Sequence, residues 1–61
     1  MRENYNGYEL STVWDDEALG YGFRISDRSG AEVSRSVDPY FYEENALTAA
    51  RAAADALPAQ E

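Results

Sequence analysis

Carboxylates are the reactive groups that this 61-residue chain holds in quantity. Asp15, Asp16 and Glu17 are consecutive, Glu43 and Glu44 form a second pair, and Asp38 lies between them, just ahead of Tyr40-Phe41-Tyr42. Such groups can bind a metal, transfer protons or dock on cations. Calcium loops space their ligands at alternate positions around a central glycine, and Asp15-Asp16-Glu17 lacks that spacing. A proton-transferring carboxylate pair needs a cleft, for which so short a chain has little room. There is no histidine, cysteine or lysine. A serine or threonine nucleophile would therefore lack an evident base, and the usual zinc ligands are missing. The expectation is a protein that is not an enzyme and that needs no metal or other cofactor.

Charge narrows the remaining possibilities. Twelve acidic residues face five arginines, for a net charge of −7. Nucleic-acid binding draws most of its affinity from neutralising phosphates, so a small domain of this charge repels DNA, RNA and anionic membrane surfaces at long range. Its long-range attraction is towards basic surfaces. The same acidity would also serve solubility alone.

One stretch argues the other way. Leu19-Gly20-Tyr21-Gly22-Phe23-Arg24-Ile25-Ser26 has the look of the RNA-contacting octapeptide of RNA-recognition motifs, which reads [KR]-G-[FY]-[GA]-F-V-x-[FY]. In those domains the aromatics at the third and fifth positions stack on bases while the alternate residues face the core. Here the alternates are Gly22, Arg24 and Ser26, which cannot make a core. Leucine also stands where a basic residue is needed, and no helix pattern separates the first two strands. Tyr21 and Phe23 are expected to be core residues instead.

The elements that would carry these groups follow from the pattern. Residues 1–7 are polar and read as a loose arm. Tyr8 to Trp14 alternates as a strand, with Tyr8, Leu10, Thr12 and Trp14 on one face. Asp15 to Gly20 reads as a loop and Tyr21 to Ser26 as a second strand, with Tyr21, Phe23 and Ile25 sharing a face. Asp27-Arg28-Ser29-Gly30 is a turn. Ala31 to Val37 is a third strand that places Ala31, Val33, Arg35 and Val37 together, and Asp38-Pro39 ends it. From Glu43 the period changes. ENALTAARAAADAL is alanine-rich, with acids at its start, where the helix dipole favours them. Leu47, Ala50, Ala54 and Leu57 form a stripe at helical spacing, and Pro58 gives a stop.

The fold class read from this order is α+β: a three-stranded antiparallel meander packed on one C-terminal helix, β-β-β-α. It forms a single domain over 1–61, with its core in 8–57 and a short disordered tail at 58–61. An alanine-rich helix contributes little apolar area, so the sheet must supply bulk through Tyr8, Leu10, Trp14, Tyr21, Phe23, Ile25, Val33, Val37 and Phe41. Arg24, Arg28 and Arg35 should pair locally with Glu9, Asp27 or Glu32. No signal-peptide pattern or long apolar run occurs, and cysteine is absent, which points to the cytoplasm.

In size, acidity and lack of catalytic groups the chain resembles the small phage-encoded inhibitors of host defence, such as anti-CRISPR and anti-restriction proteins. That resemblance implies an inhibitor docking on the basic, nucleic-acid-binding surface of a partner such as a CRISPR effector, with carboxylates where phosphates would sit. The partner-binding residues would be Asp15, Asp16, Glu17, Asp38, Tyr40, Tyr42, Glu43 and Glu44, since tyrosine beside charge is a common interface composition. The order of elements is also similar to the small bacterial β-β-β-α proteins of the YegP-like group. There too an aromatic-acidic-alanine stretch, here Tyr42-Glu43-Glu44-Asn45-Ala46, opens the helix. That second resemblance implies an accessory domain of undefined role, a monomer or weak homodimer.

Overall fold

Asn6 and Gly7 both adopt left-handed backbone, at φ 54 and 85. Two such residues in succession make the tight turn whose twist suits an antiparallel hairpin. In the computed structural model, which describes residues 1–58, this turn folds the first residues back as a strand. β1 (Arg2–Tyr5) pairs antiparallel with β2 (Tyr8–Asp15), with Tyr5 opposite Tyr8 and Glu3 opposite Leu10. The expected loose arm is therefore an edge strand, and the sheet has four strands rather than three.

The order is β1-β2-β3-β4, each strand antiparallel to the next, with β3 at Gly20–Ser26 and β4 at Glu32–Arg35. The helix α1 (Glu43–Asp55) packs on β2 and β3. The architecture is α+β with a C-terminal helix, as read. The tail expected at 58–61 lies outside the described residues apart from Pro58, whose carbonyl accepts a hydrogen bond from the Tyr8 hydroxyl.

The helix lies against β2 in the opposite direction. Thr12 Oγ1 donates to Glu43 at 2.7 Å at one end, and the Tyr8–Pro58 contact marks the other. Between them Tyr8, Leu10, Phe23 and Ile25 meet Ala46, Leu47, Ala50 and Ala54, and these eight are the buried apolar side chains among the described residues. Alanine permits close approach, so Leu10 and Ile25 are shielded completely. Tyr5, Tyr40, Ala49, Ala53 and Leu57 pack around that centre.

Four residues expected in the core are in water: Trp14, Val33, Val37 and Phe41. For Trp14 the cause is helix length. The helix starts over Thr12, so Trp14, two residues on, projects past it. For β4, the third strand of the expected meander, the cause is register. Ser26 faces Glu32 but Ile25 faces Ser34, so Val33 is an inserted residue at a bulge. The insertion resets the alternation: Ser34 takes the helix side, and Arg35 lies opposite Arg24 on the open side. Beyond it, Ser36 N–H donates to the Phe23 carbonyl, and the Phe23 N–H donates to Ser36 Oγ at 3.1 Å. Val37 to Pro39 then loop outwards before Tyr40 returns to pair with Tyr21.

A single helix covers only one face of the sheet. The other carries Arg2, Glu9, Ser11, Arg24, Glu32 and Arg35. Glu32 accepts from Arg35 and also pairs with Arg24, while Arg2 reaches Glu9. Local pairing was expected for Arg24, Arg28 and Arg35; Glu32 provides it for the first and the last, and Arg28 makes no ion pair among the described residues. These pairs are exposed and stabilise little.

Candidate protein-docking surface

Everything proposed for recognition gathers at one end of the sheet, around the loop between β2 and β3. Trp14 faces Tyr21 across the ladder, and Tyr21 exchanges two backbone hydrogen bonds of 2.7 Å with Tyr40. Three aromatic residues thus stand side by side on three neighbouring segments. The rings of Trp14 and Tyr21 meet edge-on at 5.1 Å between centroids, and Tyr40 leans on Phe23 at 6.5 Å. Gly20 makes the approach of the third segment possible. A Cβ there would come within 2.7 Å of the Pro39 side chain and 3.0 Å of the Tyr40 carbonyl oxygen.

Phe41 and Tyr42 follow, packed edge-on at 4.8 Å between centroids, and Tyr42 is the N-cap of α1 in extended backbone, without a capping side chain. Phe41 is 79% exposed, Tyr42 62% and Trp14 52%. Leu19, the last residue of the loop before β3, is 73% exposed and adopts φ 55, a left-handed conformation that leucine disfavours. Monomeric proteins seldom leave so many large apolar side chains together in water without a use for them.

The carboxylates divide into two groups. Some are spent inside the chain. Asp15 Oδ1 accepts from the backbone N–H of Glu17 at 2.9 Å and of Ala18 at 3.2 Å, which shapes the loop. Asp16 accepts from the indole N–H of Trp14. Glu43 is held below the ordinary carboxylate range, first by the Thr12 hydroxyl and then by the Met1 ammonium group. Among the described residues Glu17, Asp38 and Glu44 have no side-chain hydrogen bond or ion pair. Asp15 and Asp38 meet along one shallow groove of about 90 Å³, with Ala18, Gly22, Ser36 and Val37. All eight residues singled out from the sequence therefore lie at this end, and their roles differ.

Sequence reasoning did not single out Trp14, Leu19 and Phe41 as surface residues, and it assigned two of them, Trp14 and Phe41, to the core. Strand alternation marks which side of a sheet a residue occupies but not where the covering helix stops. Both octapeptide aromatics lie on the helix side, but of the two expected in the core only Phe23 is there. Phe23 is buried, Tyr21 is half-buried between neighbours, and Arg24 is on the opposite face.

Among the described residues no group of three or more acidic or other ligating side chains is clustered to hold a metal ion, and no helix is long and apolar enough to cross a membrane. Comparison of the chain with protein families, with curated proteins and with solved structures gives no match.

Proposed function

We propose that this chain is a non-enzymatic binding module that docks the aromatic end of its sheet on a basic protein surface. The observation that carries the reading is the exposure of Trp14, Leu19, Phe41 and Tyr42 at one end of the sheet, the end whose loops and helix start also carry Glu17, Asp38 and Glu44. Large rigid aromatics supply contact area at the centre of an interface, and charged residues at its rim select the partner and speed the encounter. A net charge of −7 directs the molecule to cationic partners from a distance. The sharpest form of the reading is an inhibitor that occupies a groove otherwise taken by nucleic acid, in the manner of the small phage-encoded inhibitors of CRISPR effectors and restriction enzymes. In that form the unspent carboxylates stand in for phosphates.

The test is association with a panel of basic nucleic-acid-binding proteins freed of nucleic acid. Binding is expected to weaken as salt rises and to compete with the partner's own DNA or RNA. Replacing Trp14 and Phe41 together by alanine should cost at least about thirtyfold in affinity, the scale of a central hot spot. Changing Glu17, Asp38 and Glu44 to their amides should slow association. Tight binding that ignores salt, or that survives both sets of changes, would overturn the reading.

A further inference from the structure

Resting on the docking reading above, we propose that Trp14 and Asp16 form a seat for a single arginine side chain of the basic partner. Trp14 projects past the start of the helix with about half of its surface in water, and it is the sole tryptophan of the chain. Two contacts fix it. Tyr21 meets it edge-on, at an interplanar angle of 70°. Its Nε1–H donates to Asp16 Oδ1 at 2.5 Å, from a residue only two positions along. The ring is therefore held in place before any partner arrives, which lowers the ordering cost of binding.

The same hydrogen bond sets the chemistry. An indole face attracts cations more strongly than any other aromatic side chain. A carboxylate accepting from the indole N–H places negative charge at the ring's edge, beside the position of a stacked cation. Oδ2 of Asp16 makes no hydrogen bond among the described residues, so it is available to accept from a second donor. A planar guanidinium suits both features, since it stacks flat on the ring while its N–H groups project sideways to an acceptor. An ammonium group is a compact, strongly hydrated point charge and uses the plane less well. The seat thus selects arginine over lysine, a discrimination that net charge alone does not give.

Peptides of equal length and charge, oligoarginine and oligolysine, provide the probe, with oligocitrulline as the uncharged analogue. Affinities are read by anisotropy of a labelled peptide, and the indole emission of the wild-type protein reports contact with Trp14 directly. The expected result is a two- to fivefold preference for oligoarginine, roughly what one exposed stacked cation supplies, with a change in indole emission for that peptide only. Trp14→Ala should abolish the preference, with circular dichroism confirming the fold. Asp16→Asn should reduce the preference, whereas Glu17→Gln, which removes the same charge without touching the indole, should weaken both peptides alike.

Equal, salt-sensitive binding of both cationic peptides would overturn the arginine seat and leave the docking reading standing. Equal effects of Asp16→Asn and Glu17→Gln on the preference would do the same. No binding of either peptide would count against both.

Discussion

Leu19 shows what a single residue can disclose. It takes a backbone conformation suited to glycine or asparagine, and its side chain is in water. Nothing in the fold accounts for a leucine there, whereas an interface would. Leu19→Gly should therefore separate two properties. Relief of the left-handed strain, partly offset by the greater freedom of glycine in the unfolded chain, should change stability by between zero and about 1 kcal/mol in the favourable direction. Partner affinity should fall. Urea midpoints and binding isotherms on the same variant check both, and a variant that loses stability while binding as before would contradict the assignment. Tyr21 and Phe23 show how much a residue pattern can reveal. Their neighbours Gly22, Arg24 and Ser26 could not be core, and that alone placed the aromatics on the helix side.

The elements were legible to differing degrees. The helix was clearest, because alanine content and the Leu47, Ala50, Ala54 stripe both point to it, and the observed Glu43–Asp55 ends two residues before Leu57, in a turn where Ala56 and Leu57 donate to the Ala53 and Ala54 carbonyls. The middle two strands were nearly as clear. β4 was placed in the right region but with its faces exchanged beyond Val33, because an inserted residue shifts a period-2 pattern and leaves no mark in composition. The first strand had a signal that its polarity concealed: Asn-Gly between Tyr5 and Tyr8 is the strongest short hairpin sequence. The candidate site was legible in its acids and tyrosines but not in Trp14, Leu19 or Phe41, whose exposure depends on where the helix begins. Gly7→Ala tests the hairpin. Forcing a Cβ into φ 85 should cost about 1 kcal/mol. Hydrogen exchange should show the Arg2–Tyr5 amides losing protection before those of β2 and β3. Uniform loss across the sheet would mean that β1 is no separable unit.

At the scale of the whole molecule, β1 joins the sheet to the helix through a polar seam. Residues 1, 3 and 5 reach across to 43, 51 and 55: the Met1 amino group to Glu43 at 3.3 Å, Glu3 to Arg51 through two hydrogen bonds, and the Tyr5 hydroxyl to Asp55 at 2.8 Å. Alternate strand residues thus meet one stripe of the helix. Arg51 lowers the pKa of Glu3, the Thr12 hydroxyl lowers that of Glu43, and the Ser29 hydroxyl with nearby backbone N–H groups lowers that of Asp27. Near pH 4 the folded state therefore binds fewer protons than the unfolded one, so stability rises with pH there. The contribution is complete above the ordinary values of 4.5 for glutamate and 3.8 for aspartate, and is lost as pH falls through the lowered ones. Urea midpoints measured from about pH 6 down to about pH 3 should decline, less steeply in Glu3→Gln. A flat profile would show the seam to be idle. The partners in this seam are separated by 42 to 50 positions along the chain. During synthesis, then, β1 is made before any of the groups that complete it exist. The seam closes only once the helix has been made, and a chain that lacks the helix carries an unstitched edge.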